Sequence, residues 1–260
     1  MPTVATWNVN SVGARFEKVL AWLRAVGPDI VLLQEIKCPS EAFPRLAFVE
    51  LGYEALAHGQ KSYNGVAILA KAPILDPVQG LPGEPEDAQA RYLEATVMGL
   101  RVASIYLPNG NPVGTDKFPY KLRWLERLRL HAAHLLEGDE PLVLGGDYNV
   151  IPDPHDCHDP AAWEGDALFR PESRRAYRAL LNLGLVDAVR SLHPKEKLYS
   201  FWDYQQGAFQ LDHGIRNDHL HLSAQAADWL EAAWIDKDPR GRPKASDHTP
   251  VLVRLKEKSA

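Results

Sequence analysis

Residues 141–149 read PLVLGGDYN, and residues 29–35 read DIVLLQE. Each is a short apolar run ending in polar groups, the pattern of a buried strand that carries side chains to the edge of a core. Thr3 to Val9 reads as a third such strand, with Asn8 near its end and Asn10 just beyond. Between these strands lie helical patterns. Ser11 stands where an N-cap belongs, and Phe16, Val19, Leu20 and Leu23 follow at helical spacing to a stop near Gly27-Pro28.

Working outward, a helix is expected near Phe43–Leu51, ending at Gly52, and strands at Tyr53–His58, Gly65–Lys71, Arg91–Met98 and Arg101–Leu107. The last two form a hairpin turning at Met98-Gly99. Lys117–Leu136 is the longest helical pattern, with Phe118, Leu122, Leu125 and Leu128 on or near one face. A loop runs from Ile151 to about Phe169, and a helix from Pro171 to Leu183 closes on Gly184. Strands at Leu198–Trp202, Asp218–Ser223, Ala232–Ile235 and Pro250–Leu255 complete the chain. With no linker, repeat or shift of composition, the pattern is one α/β domain with two sheets over residues 1–260.

Composition removes several classes of function. Of 260 residues, 45% are hydrophobic and 24% charged, with 7 Trp, 9 Tyr and 7 Phe, which is too apolar for a disordered chain. No apolar run approaches the ~18 residues of a membrane helix. The N-terminus MPTVATWNVNS lacks the pattern of a signal peptide, and two cysteines, Cys38 and Cys157, are too few for a disulfide framework; a cytoplasmic protein is expected. A net charge of −5 argues against a general polyanion binder while leaving room for a local basic surface.

The chemistry-bearing residues sit at strand ends: Asn8 with Asn10, Glu35, Asp147 with Asn149, Asp218, and Asp247 with His248. Singly, each reads as a cap or turn former; together they make a site if the fold brings them to one rim. Oxygen ligands without thiolate suit Mg2+ or Mn2+ rather than zinc, with Glu35 supported by Asn8 or Asp247. Side chains at i and i+2 of an extended segment share a face, so Asp147 and Asn149 can address one water, and Asn8 and Asn10 one phosphate oxygen. Asp247 and His248 point apart, so His248 takes its orienting carboxylate from another strand and, held charged, suits an anionic phosphate.

Other groups are weaker. His155, Cys157 and His158 lack a fourth ligand for zinc. His131 and His134 read as a solvated helix face, and His219 and His221 carry no assigned role. The glycines of Leu144-Gly145-Gly146-Asp147 match neither a Walker loop nor a dinucleotide fingerprint. Between residues 91 and 136 a local excess of base, including Arg91, Arg101, Lys117, Lys121 and Arg127, is interleaved with Tyr106, Tyr120 and Trp124 and can track a phosphate backbone. The aromatic stretch Tyr199, Phe201, Trp202, Tyr204 reads either as core or as a wedge against a base.

Five blocks in order, Thr6-Trp7-Asn8-Val9-Asn10-Ser11, Leu33-Gln34-Glu35-Ile36-Lys37, Tyr106-Leu107-Pro108-Asn109-Gly110, Gly146-Asp147-Tyr148-Asn149 and Ser246-Asp247-His248-Thr249-Pro250, resemble the signatures of the exonuclease III family of abasic-site endonucleases. The resemblance continues through Lys61-Ser62-Tyr63-Asn64-Gly65-Val66-Ala67 and Trp202-Asp203-Tyr204 and covers essentially the whole chain. It implies a four-layer α/β sandwich, two mixed sheets flanked by helices, of the deoxyribonuclease I-like kind. It implies Glu35 as principal metal ligand with Asn8 and Asp247, Asp147 as activator of water, Asn149 beside it and Tyr106 on the scissile phosphate. His248 would stabilise charge, oriented by Asp218 of Gly214-Ile215-Arg216-Asn217-Asp218, with Asp212 a decoy. Candidate DNA contacts are Asn10, Lys61, Tyr63, Asn64, Arg91, Asn109, Lys121, Phe201 and Trp202.

Three residues depart from the family pattern. Asn217 replaces an apolar residue and is expected to disturb the strand carrying Asp218, Phe201 stands where Trp is frequent, and Gly13 stands where Arg is frequent. The expectation is a monomeric, Mg2+-dependent DNA repair nuclease cutting duplex DNA 5′ to abasic sites, with 3′→5′ exonuclease and 3′-end-trimming activity. The alternatives are a phosphatase or lipid phosphodiesterase of the same fold, and a catalytically inactive DNA-binding module.

Overall fold

The computed structural model describes residues 2–256. Among them β1 (Thr3–Asn8), α1 (Phe16–Val26), β2 (Ile30–Gln34), α2 (Arg45–Val49), β3 (Glu54–His58) and β4 (Val66–Ala70) come first. They are followed by β5 (Leu75–Gln79), β6 (Tyr92–Val97), β7 (Leu100–Tyr106), α3 (Lys117–Leu136), β8 (Leu142–Asp147) and α4 (Pro171–Leu181). Then come β9 (Val186–Asp187), α5 (Ala188–Leu192), β10 (Asp218–Leu222), α6 (Ala224–Ala227), β11 (Leu230–Ile235) and β12 (Val251–Leu255). Two mixed six-stranded sheets result, ordered β11-β12-β1-β2-β4-β3 and β5-β6-β7-β8-β10-β9.

Strand alternation explains the layers. Val4, Ile30, Leu32, Ile68, Val102, Val143, Leu220 and Val253 face the space between the sheets and form one buried cluster. Their neighbours Ala5, Val31, Leu33 and Leu69 turn outward onto Val19, Leu20 and Leu23 of α1. On the other sheet Ala103, Ile105 and Leu144 turn outward onto Trp124, Leu125 and Leu128 of α3 and Tyr177 and Leu180 of α4. With both faces covered, central strands read as continuous apolar runs, which is why 30–33 and 142–144 lack polar alternation. Gly145 and Gly146 are required by close approach. A Cβ on Gly145 would lie 2.6 Å from Leu32 Cδ1, and one on Gly146 only 1.9 Å from the Ile105 carbonyl oxygen.

The topology builds one rim. β1 runs parallel to β2, and β7 parallel to β8, so each pair ends at the same edge of its sheet. β10 lies antiparallel to β8 with Asp218 opposite Asp147, and β12 antiparallel to β1, so those two strands start where the others stop. The expected hairpin is present: Val97 pairs with Leu100 across Met98 and Gly99, both at positive φ.

Some local expectations change. The first helix begins at Phe16; Ser11 has φ 85° and its Oγ accepts from Ala14 N–H within the preceding turn. The helix expected at Phe43–Leu51 is confined to Arg45–Val49. Leu198–Trp202 is not a ladder strand: Phe201 makes single bridges to Ile215 and His248, and Tyr199 and Trp202 pack into a small cluster of their own. β5 is an unexpected edge strand, largely exposed and carrying Pro77, so its apolar signal is weak. The 151–169 loop contains short helical turns at Pro154–Asp156 and Pro160–Trp163, begun by Asp153 and Asp159. Asn217 leaves the strand intact, since β10 opens at Asp218 in register with Asp147.

Candidate active site

At the shared rim the chain turns sharply straight off its strands. Asn10, Glu35 and Asn149 adopt left-handed backbone with φ of 45°, 51° and 46°. For Glu35 that conformation is uncommon, and strain of this kind is characteristic of functional loops. It turns the side chains inward over the rim, so that ligand atoms of Glu35, Asp147 and His248 all lie within 4.8 Å of one another.

Asp147 is fully enclosed by donors. Its Oδ1 accepts from Asn149 N–H at 2.9 Å and Asn217 Nδ2 at 3.3 Å, and its Oδ2 from Asn8 Nδ2 at 3.0 Å. Burial pushes its carboxyl up to about 7, against the lowering pull of His248. His248 Nε2 lies 3.8 Å from Asp147 Oδ2, while its Nδ1 donates to Asp218 Oδ2 at 2.8 Å. Burial alone would depress the imidazole, but the carboxyl groups of Asp218 and Asp147 outweigh it and lift it to about 10. Ser200 completes this pair: its Oγ donates to Asp218 Oδ2 at 2.6 Å and accepts N–H bonds from Asn217 and Asp218.

Glu35 sits on the other sheet. Its Oε1 accepts from Asn8 Nδ2 at 2.8 Å, and Lys37 Nζ lies 2.7 Å from Oε2. Burial would raise its carboxyl, yet the bonds from Asn8 and Lys37 keep it below the usual range. Lys37 also donates to Asn10 Oδ1 at 2.6 Å, and Asn10 Nδ2 donates to Asp247 Oδ1 at 3.0 Å. The rim thus collects Glu35, Asp147, Asp218 and Asp247 against two cationic groups, Lys37 and His248, leaving an excess of oxygen donors. Oxygen-rich and without thiolate, it suits a hard divalent cation.

A cavity of about 250 Å³ opens on this cluster, walled by Trp163, Leu168, Phe201 and Ile215 on one side and Asn109, Asn111 and Asn149 on the other. Phe201 packs edge-on to His248 at 5.0 Å between centroids. The Arg91 guanidinium lies 4.8 Å from the ring centroid of Tyr106. Burial and the nearby charges of Glu35 and Asp147 hold the Tyr106 phenol well above its ordinary range, so it remains a donor. Asn109 Nδ2 donates to Asn149 Oδ1 at 2.9 Å.

A family model described as Endonuclease/Exonuclease/phosphatase matches residues 5–248, from β1 through His248. The chain belongs to the endonuclease/exonuclease/phosphatase family. Within that family it is similar to exodeoxyribonuclease III of Haemophilus influenzae, 33% identical over 96% of this chain and 98% of the relative. It is likewise similar to the DNA repair nuclease APEX1 of Danio rerio, 31% identical over 97% of this chain and 81% of the relative. Among solved structures, an AP endonuclease from Archaeoglobus fulgidus superposes with TM-score 0.95 at 36% identity, over 98% of this chain and 99% of that one. A 3′-5′ exonuclease from Neisseria meningitidis, NExo, superposes with TM-score 0.96 at 37% identity over the same shares. The protein is an enzyme of the exodeoxyribonuclease III kind, a metal-dependent nuclease with the four-layer sandwich of the family.

Several expected site residues are elsewhere than the family motifs suggest. Trp202 is 0% exposed and its Nε1 donates to Asp212, so it cannot reach DNA; it belongs to the aromatic cluster beneath the loop. Lys121 is also 0% exposed, its Nζ donating to the carbonyls of Asn109 (3.0 Å) and Asn149, with burial bringing it down to about 7. It ties two rim loops together. Asn64 is buried and donates to Gln60 and Gln89, bracing the 60–64 loop, whereas Lys61 and Tyr63 are exposed on it.

Asn8 turns its amide nitrogen, not its oxygen, toward Glu35 and Asp147, and its oxygen accepts from Asn10 N–H. A flipped amide would set its oxygen against two carboxyl groups, so Asn8 is a donor between them rather than an oxygen ligand. The basic excess of 91–136 is largely spent internally: Arg101 pairs with Glu94, Arg127 with Glu84 and Asp87, and Arg129 with Glu126. His131, expected in solvent, is half-buried against Glu94 at 2.8 Å. Ser200 and Lys37 went unassigned in the sequence; a lone Ser in an aromatic run and a Lys after Glu carry no distinctive local signal.

Proposed function

We propose that this DNA repair nuclease cleaves the phosphodiester 5′ to abasic sites in duplex DNA, leaving a 3′-hydroxyl, and trims 3′ ends or removes 3′ blocking groups. The observation that carries this reading is the meeting of Glu35, Asp147 and His248 within 4.8 Å at one cavity. The AP endonuclease and the 3′ phosphatase or exonuclease among the similar structures support both activities. The protein acts as a single catalytic domain over residues 1–260, as a monomer, in the cytoplasm.

Mg2+, with Mn2+ as a substitute, fits the donor set. Glu35 and Asp247 offer carboxylate oxygens and Asn10 an amide oxygen, a region where a cation, Lys37 Nζ, is already accepted. When bound, the metal would supply positive charge against the charge that builds on the phosphate. The rest is the work of the side chains. Asp147, with a pKa near 7, takes the proton of the attacking water, which Asn149 helps to hold. His248, kept cationic and aimed by Asp218, donates to the charge that builds on the phosphate, as does Tyr106, while the P–O3′ bond breaks and the departing 3′-oxygen takes a proton from solvent. Exposed Lys61, Tyr63 and Asn109 and partly exposed Asn10, Arg91 and Phe201 form the DNA-contacting rim.

The test is a duplex carrying one stable abasic analogue, incubated with Mg2+ or with EDTA, and its products sized. A single cut 5′ to the lesion in Mg2+ and none in EDTA is the expected result. An untouched duplex beside rapid phosphate release from an inositol phosphate would transfer the activity to lipid-type phosphoesters.

A further inference from the structure

We infer that Asn217 is a positioning residue for Asp147, fixing which carboxyl oxygen faces the reacting phosphate. The inference rests on the assignment of Asp147 as the water-activating group and adds a residue that stands where the family pattern has an apolar one. Asn217 is 3% exposed and lines the same cavity as Asp147 and His248. Its backbone is pinned on both sides: its N–H donates to Ser200 Oγ at 3.3 Å, and its carbonyl accepts from Tyr148 N–H at 2.9 Å. With the main chain fixed, the amide Nδ2 reaches Asp147 Oδ1 at 3.3 Å.

The two oxygens of Asp147 thereby acquire different tasks. Oδ1 is occupied by Asn149 N–H and Asn217 Nδ2. Oδ2 accepts from Asn8 Nδ2 at 3.0 Å and Asn149 Nδ2 at 3.4 Å and lies 3.8 Å from His248 Nε2, on the side where the reacting groups meet. Donors on both oxygens hold the buried carboxyl in one orientation, and losing the Asn217 donor on Oδ1 loosens that hold about χ2. An apolar side chain at 217 fills the same space but holds nothing. The contact through which Asn217 acts is the one to Asp147.

A double-mutant cycle tests this with Asn217→Leu and Asp147→Asn, followed by single-turnover cleavage of an abasic duplex at excess enzyme. N217L should lower kcat by about tenfold, the usual worth of one hydrogen bond to a carboxylate, with KM and duplex affinity in EDTA unchanged. In the D147N background the same substitution should change the rate by less than about twofold. An equal loss in both backgrounds, a rise in KM, or no loss in the native background would each overturn the inference. A near-normal rate for D147N itself would instead refute the assignment of Asp147, which separates the two failures. If N217L does not fold, as judged by its thermal midpoint, Asn217→Asp keeps the shape and removes the donor. It should lose at least as much kcat, and a native rate would overturn the inference equally well.

Discussion

One strand serves two polar clusters of opposite character. On β10, Asp218 points into the space between the sheets and meets His248, whereas His219 and His221 point outward beneath α4. The outer cluster has the ingredients of a site, since ligand atoms of Asp187, His219 and His221 lie within 4.8 Å of one another. Yet Arg216, 1% exposed, fills it. The guanidinium binds Asp156 through Nε at 2.7 Å and Asp187 through Nη1 at 2.8 Å, and also donates to His219 Nδ1 at 3.0 Å. Arg190 adds a second cation on Asp156. Burial and the charge of Arg216 push His219 down to about 3, and burial takes His221 down to about 4, so both imidazoles are neutral. Two arginines balance two aspartates. At the rim, carboxyl groups outnumber cations and a cavity leads to them. A cavity reaches the outer cluster too, about 570 Å³ against about 250 Å³ at the rim, so charge balance, more than access or residue type, separates a site from a strut.

The largest effect that can break this comparison is at the rim. Asp147→Asn should lower turnover by roughly a thousandfold or more while duplex affinity survives, as single-turnover rates and a binding titration would show. A rate within tenfold of native would put Asp147 on the same footing as the outer carboxylates. Next comes the strut. Arg216→Ala leaves buried Asp187 without its arginine and Asp156 with Arg190 alone, and should cost about 3–5 kcal/mol of stability, read from denaturant unfolding. A loss below 1 kcal/mol would show that the outer cluster is not held by its charges.

The smallest effect concerns pH. An unfolded histidine takes up a proton near pH 6.5, whereas folded His219 and His221 do so only near 3 and 4. Below pH 6.5 the unfolded state thus binds more protons, and the stability present above that pH is lost as acid is added toward the folded values. The thermal midpoint should fall between pH 6.5 and 4.5, with a shallower fall in His221→Phe. A fall in His221→Phe as steep as in the native protein would mean that this imidazole is charged in the folded protein.

Legibility in the sequence followed the range of the forces involved. Strand and helix positions came from local apolar periods, and the β6–β7 hairpin from Met98-Gly99, because these depend on neighbours a few residues apart. Leu198–Trp202 failed as a strand for the converse reason. Its aromatic content is strand-like, but Trp202 is drawn into a separate cluster with Tyr199 and Ala208. Lys121 and Trp202 looked like nucleic-acid contacts by type and are buried by packing that no local pattern announces. The basic excess of α3 was reduced once Glu84 and Asp87, some forty residues away in the chain, folded against Arg127.

The sequence by itself determined which residue types stand at strand ends, since strand length and the positions of Asn8, Glu35, Asp147, Asp218 and His248 are properties of the covalent chain. Tertiary structure alone decided that the parallel pairs β1–β2 and β7–β8 end at the same edge, that Asn8 offers nitrogen rather than oxygen, and that Asn217 braces Asp147. Net charge at a point in space sums over groups far apart in sequence, and burial sets how strongly they interact. Neither quantity exists until the two sheets have closed on each other.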